Sequence, residues 1–166
     1  RRGAEEILVE GELIERLEDS DSAVRYWAAT GLMSFEIDDD ATIQKMVQRV
    51  RDESLSVRLA AGDLLCRTGR IEPALPAFEN ALMSGTLWGR CRAGANLSYY
   101  DRTTLSQMKS LIPALQAALD NPVCYGASEP DLGSITQAAR DSFVAQRDTI
   151  VGEWVLNRVI RRIELA

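Results

Sequence analysis

Residue types that commonly carry chemistry are sparse in this chain, and their spacing decides what each could do. There is no histidine, which removes the usual neutral-pH general base, the commonest metal ligand and every Ser/His or Cys/His nucleophile pair. Three cysteines, Cys66, Cys91 and Cys124, stand far apart with no C-x-x-C pair. An odd number at wide spacings offers no disulfide framework; they read as buried thiols that pack as small hydrophobes, and the redox compartment stays open. Asp38-Asp39-Asp40 could offer oxygens to a hard cation, but such an ion needs six or more arranged around it. Three in a row before a helix read instead as a solvated cap. Asn96-Leu97-Ser98 matches a glycosylation sequon, yet Leu97 falls on a helical core stripe, so the match reads as chance. No catalytic, cofactor-binding or metal-binding residue is expected in this chain.

The bulk composition agrees. The chain has 166 residues, one domain's worth at ~150 residues per domain, and at that size it can hide roughly 70% of its unfolded surface without a disulfide or metal. With 46% hydrophobic and 27% charged residues it falls among ordinary globular proteins. Its net charge of −6 repels a polyphosphate unless a local basic face overrides the total, so nucleic acid is not an expected partner. No apolar run approaches the ~20 residues that span a bilayer, and membrane insertion is not expected. The opening Arg1-Arg2-Gly3, without methionine, reads as the start of a processed or excised part of something longer; the lack of a signal peptide then says nothing about export.

The elements that position these residues follow from an internal repeat. Asp19 to Leu32 lies on Asp52 to Leu65 at an offset of 33, with Val24, Arg25, Ala28 and Leu32 falling on Val57, Arg58, Ala61 and Leu65. A further offset of 32 reaches Arg90, Ala93 and Leu97, and the small residues Ala29, Gly62 and Gly94 coincide. Upstream, Leu13, Ile14 and Leu17 map onto Met46, Val47 and Val50. Spacings of three and four put these on one helical face, so each unit is a helix pair. First helices are predicted at roughly 10–18, 41–51 and 72–83, and second helices at roughly 22–35, 55–68 and 86–100. Asp and Ser at 19–22 and 52–56 suit helix starts, Gly69 suits a left-handed helix end, and Pro73 near the start of a first helix loses no needed donor. A single pair cannot cover its own apolar face, so neighbouring pairs must stack. The fold class expected is all-α, an α-solenoid of about four helix pairs with the last irregular.

The order D-x-D-x-x-V-R-x-x-A-A-x-x-L on a second helix resembles the HEAT-repeat family, including the HEAT-like repeats related to phycobilisome lyases, over residues 10–100. More narrowly, Ala23-Val24-Arg25-Tyr26-Trp27-Ala28-Ala29-Thr30-Gly31-Leu32 resembles the C-terminal extension of bacterial sulfatases of the heparan N-sulfatase type. That resemblance implies a hydrolase parent, with calcium and formylglycine in its catalytic domain and, for such a parent, a periplasmic or extracellular location. The sulfatase motif C/S-x-P-x-R is not met: Cys66-Arg67-Thr68-Gly69-Arg70 has Thr68 where proline belongs, so no catalytic residue carries over. The HEAT resemblance further implies that Arg25, Arg58 and Arg90 are scaffold residues paired with acids of adjacent units, such as Asp19 and Asp52, rather than a row gripping an anion.

Beyond residue 100 the repeat blurs. Ser106 to Leu119 reads as another first helix, kinked at Pro113 unless it begins there, and Asp120-Asn121-Pro122 as a turn. A breaker-rich loop over 126–134 interrupts the fourth unit before helical pattern resumes at 134–147. A capping helix over 149–164 aligns Val151, Val155, Val159 and Ile163, with Arg158, Arg161 and Arg162 at its C-terminal end where the helix dipole favours them. The single domain over 1–166 thus divides into repeats at about 10–36, 40–69, 72–100 and 103–147 plus the cap.

Tyr26 and Trp27 are the candidate contact residues. Trp27 aligns with Ala60 and Arg92, so the repeat core does not demand an indole there. Two readings stand: an outward aromatic anchor for a partner, or a large side chain filling space in a first repeat with no predecessor in this chain. Trp88 and Trp154 read as core. The function expected is a non-catalytic accessory domain packing on a sulfatase-like catalytic domain or another protein. A stand-alone HEAT scaffold is the alternative, and a bilin lyase-like protein, with the cysteines as its only handles, is a third.

Overall fold

The computed structural model describes residues 3–84, 87–120 and 155–166. Every regular element among them is a helix, and the fold class is the all-α, solenoid type built from helix pairs. Two compact units divide the chain, Arg1–Asn80 and Ala81–Ala166.

The first unit holds α1 (Ala4–Arg16), α2 (Ser22–Leu32), α3 (Asp40–Arg49), α4 (Leu55–Arg67) and the first part of α5 (Ile71–Met83). The stripe that repeats every 33 residues is the core: Leu17, Leu32, Met46, Val50, Val57 and Leu65 are all buried, each large side chain contributing about 1.5–3 kcal/mol. α1 packs on α2 and α3 on α4, while α2 lies against α4. Two hairpins therefore stack through their second helices, where Ala28, Ala29, Ala61 and Gly62 keep the surfaces thin. A Cβ on Gly62 would sit 2.9 Å from Ala77 Cβ and 3.4 Å from Phe78 Cε2, so α4 and α5 meet at a distance only glycine permits.

Short polar side chains start the helices. Asp21 Oδ1 accepts from the Ala23 N–H at 2.8 Å and Asp39 Oδ1 from the Thr42 N–H at 2.8 Å, each satisfying a donor with no partner inside the helix. α4 ends as its glycine requires. Gly69 has φ +76°, and the N–H groups of Gly69 and Arg70 donate back to the carbonyls of Cys66 and Leu65 at 3.1 and 2.8 Å, closing the last turn.

In the second unit lie α6 (Leu87–Tyr99), α7 (Arg102–Ser106), a 3-10 turn (Lys109–Leu111), α8 (Ile112–Asp120) and a helix over 155–164. Leu97, Leu105, Met108, Leu111, Leu115, Val159 and Ile163 form its core. A Cβ on Gly94 would meet Val155 Cγ1 at 3.1 Å, so α6 packs closely on the last helix. Arg162 donates to the carbonyls of Ser98 and Tyr100, capping the end of α6 rather than its own helix. Arg102 donates to the Leu165 carbonyl.

Three boundaries differ from the sequence reading. α1 starts six residues before the predicted 10, because Glu6 Oε2 accepts from the Gly3 N–H at 3.1 Å and secures an earlier first turn. α2 stops at Leu32 instead of 35, as Met33, Ser34 and Phe35 donate three residues back and tighten the chain out of the helix. The helix predicted from Ser106 is divided: Asp101 Oδ1 accepts from the Thr104 N–H at 2.8 Å to start α7 early, and α8 begins at Ile112. Pro113 therefore occupies a first-turn position where no donor is missed. The loop at 126–134, the helix at 134–147, the start of the capping helix, Val151, Cys124 and Trp154 lie outside the described residues, as does the Trp88 side chain.

Candidate functional site

The turns that join the helices of the first two hairpins are built alike. Asp19 Oδ1 accepts from the Asp21 N–H at 2.9 Å, and Asp52 Oδ1, 33 residues later, accepts from the Ser54 N–H at 2.9 Å. Each carboxylate fixes the chain just before a second helix. Six residues on, one turn into that helix, an arginine reaches back over the same turn. Arg25 Nη1 donates to the carbonyls of Asp19 and Ser20 at 2.8 and 3.0 Å, and Arg58 Nη1 to those of Asp52 and Glu53 at 2.6 and 3.1 Å. The recurring Asp and Arg thus clamp one loop from both ends.

Arg25 also crosses to the next hairpin. Its Nε and Nη2 donate to Asp52 Oδ2 and Oδ1 at 2.9 and 2.8 Å, a two-pronged pair with both side chains buried, and Nη2 reaches Glu53 at 3.1 Å. Arg49 Nη1 adds a bond to Asp52 Oδ2 at 3.2 Å while its Nη2 meets Glu18 at 3.3 Å. Burial pushes the Asp52 carboxyl up, but the bonds from Arg25, the Ser54 N–H and Arg49 outweigh it and hold the group below the usual carboxylate range. The bond to Asp52 raises the Arg25 guanidinium above its ordinary value against the opposing effect of burial. The hub is a joint between hairpins.

The acid pairing expected of the repeated arginines is seen at Arg25 with Asp52, whereas Asp19 and Arg58 are engaged differently. Asp19 meets Arg25 through its backbone carbonyl, its carboxylate being engaged by the Asp21 N–H and by Arg16 at 3.4 Å. Arg58 binds carbonyls alone among the described residues, and the position 32 residues after Asp52, the offset that takes Arg58 to Arg90, is Ser84, which carries no acid. Arg90 Nη1 donates to the Ala118 carbonyl at 3.2 Å, in the last turn of α8 where a cation suits the helix dipole; burial pushes its guanidinium down from the ordinary value.

Trp27 lies on α2 two residues beyond Arg25 and is 66% exposed. Its ring stands edge-on to that of Tyr26, centroids 5.1 Å apart at 67°, which limits the orientations open to the indole. Cys66 is buried in α4 and Cys91 half-buried in α6. Asp39 serves as the α3 cap, its carboxyl held low by the Thr42 N–H. Among the described residues no group of three or more His, Cys, Asp or Glu is placed to hold a metal ion, and no helix is long and apolar enough to cross a membrane. Leu97 of the sequon is fully buried inside α6.

Compared with known proteins, the chain matches the family model for HEAT repeats over residues 10–98. No curated protein and no solved structure matches it.

Proposed function

Because the chain belongs to the HEAT-repeat family, we propose that it is a non-catalytic protein-binding scaffold whose contact anchor is the Tyr26–Trp27 pair. The observation that carries this reading is an exposed indole on a helix fastened from behind: successive residues turn by about 100°, so Arg25 and Trp27 project from nearly opposite sides of α2. One side is locked into the buried Asp52 pair and the other presents a large apolar surface, a combination favoured in interface hot spots. A photo-crosslinking amino acid at position 27 of the full chain in its native host should give a discrete protein adduct that the same group at exposed Glu79 does not. Equal yields from both positions, or none from 27, would overturn the assignment.

A finer reading places this scaffold beside a sulfatase-type catalytic domain, and the run Ala23 to Leu32 is the observation that favours it. It makes a separate demand. The gene around this segment should encode a C/S-x-P-x-R motif several hundred residues upstream, and a reading frame without one leaves the stand-alone scaffold.

A further inference from the structure

We draw no further inference here: the strongest candidate, the edge of Arg58 on α4 whose Nε is buried without a hydrogen bond among the described residues, where the matching edge of Arg25 grips Asp52, carries nothing because nothing in the structure shows what covers it.

Discussion

Removing the Asp52 carboxylate should cost far more than a surface ion pair. Asp52→Ala strips the buried Arg25 guanidinium of its bonds from Nε and Nη2 at 2.9 and 2.8 Å. It also leaves Arg49 without one bond and the Ser54 N–H without its acceptor. Exposed pairs are worth ~0–1 kcal/mol, but breaking a buried pair from one side costs about 3–5 kcal/mol, a large part of the ~5–15 kcal/mol that holds a domain together; Arg25 would keep the exposed Glu53 carboxylate and the carbonyls of Asp19 and Ser20. Arg25→Met should cost less, about 2–3 kcal/mol, because Asp52 keeps Arg49 and the Ser54 N–H. The double variant should fall short of the summed losses by about 1–3 kcal/mol. Urea unfolding followed by circular dichroism gives the totals, and hydrogen exchange of α2 and α4 peptides assigns them to the first unit. A loss below about 1 kcal/mol for Asp52→Ala, or a strictly additive double variant, would refute the claim that this pair joins the hairpins.

Acid should act through the same carboxyl. Its folded pKa lies below the ordinary value, so its contribution is complete above the unfolded pKa of about 3.9 and is lost as pH falls through the lower folded one; Asp52→Asn should flatten that part of the urea-midpoint profile, and parallel profiles would contradict it. Gly11→Ala, with nothing within 4 Å of the new methyl, should raise the melting temperature by relieving a helix-interior glycine worth about 0.5–1 kcal/mol. Gly62→Ala should lower it despite the same gain, because the 2.9 Å approach to Ala77 costs about 1–3 kcal/mol of overpacking. Asp39→Ala should cost about 1 kcal/mol in urea unfolding, through loss of the bond that starts α3 at Thr42.

What the sequence discloses and what it hides divide along a physical line. Hairpins, their register and the core stripe were legible because burial of Leu32, Val57 and Leu65 is a matter of face, and face follows from period. Gly69 was legible because few residues tolerate a positive φ. The pairing of Arg25 with Asp52 followed from the HEAT resemblance, but the carbonyl partners of Arg25 and Arg58 were not legible: a long side chain on a known face can still end on a carboxylate or a carbonyl, and only the turn geometry decides. That Asp19 and Arg25 lie six apart, as Asp52 and Arg58 do, was the available signal for the shared clamp. The early start of α1 was hidden because Glu5 to Val9 has no counterpart pattern in the next unit. The exposure of Trp27 was hidden as well, since register fixes the face of a residue and not what lies against it.

The hub and the exposed Trp27 share one helix, and that connects stability to recognition. A partner that buries Trp27 must take up a side chain already restrained by Tyr26 and carried on a backbone pinned through Arg25, so little ordering remains to oppose association. Loosening the far side should then weaken binding without touching the contact surface. Arg25→Met, assayed in the cold where the fold persists, should reduce affinity for the partner captured from position 27 by about two- to tenfold, the equivalent of one further side chain ordered at about 0.5–1.5 kcal/mol. Trp27→Ala should remove more, since it deletes the anchor itself. If Arg25→Met binds as the parent does, the aromatic pair holds its geometry unaided, and the buried joint serves only to keep the hairpins together.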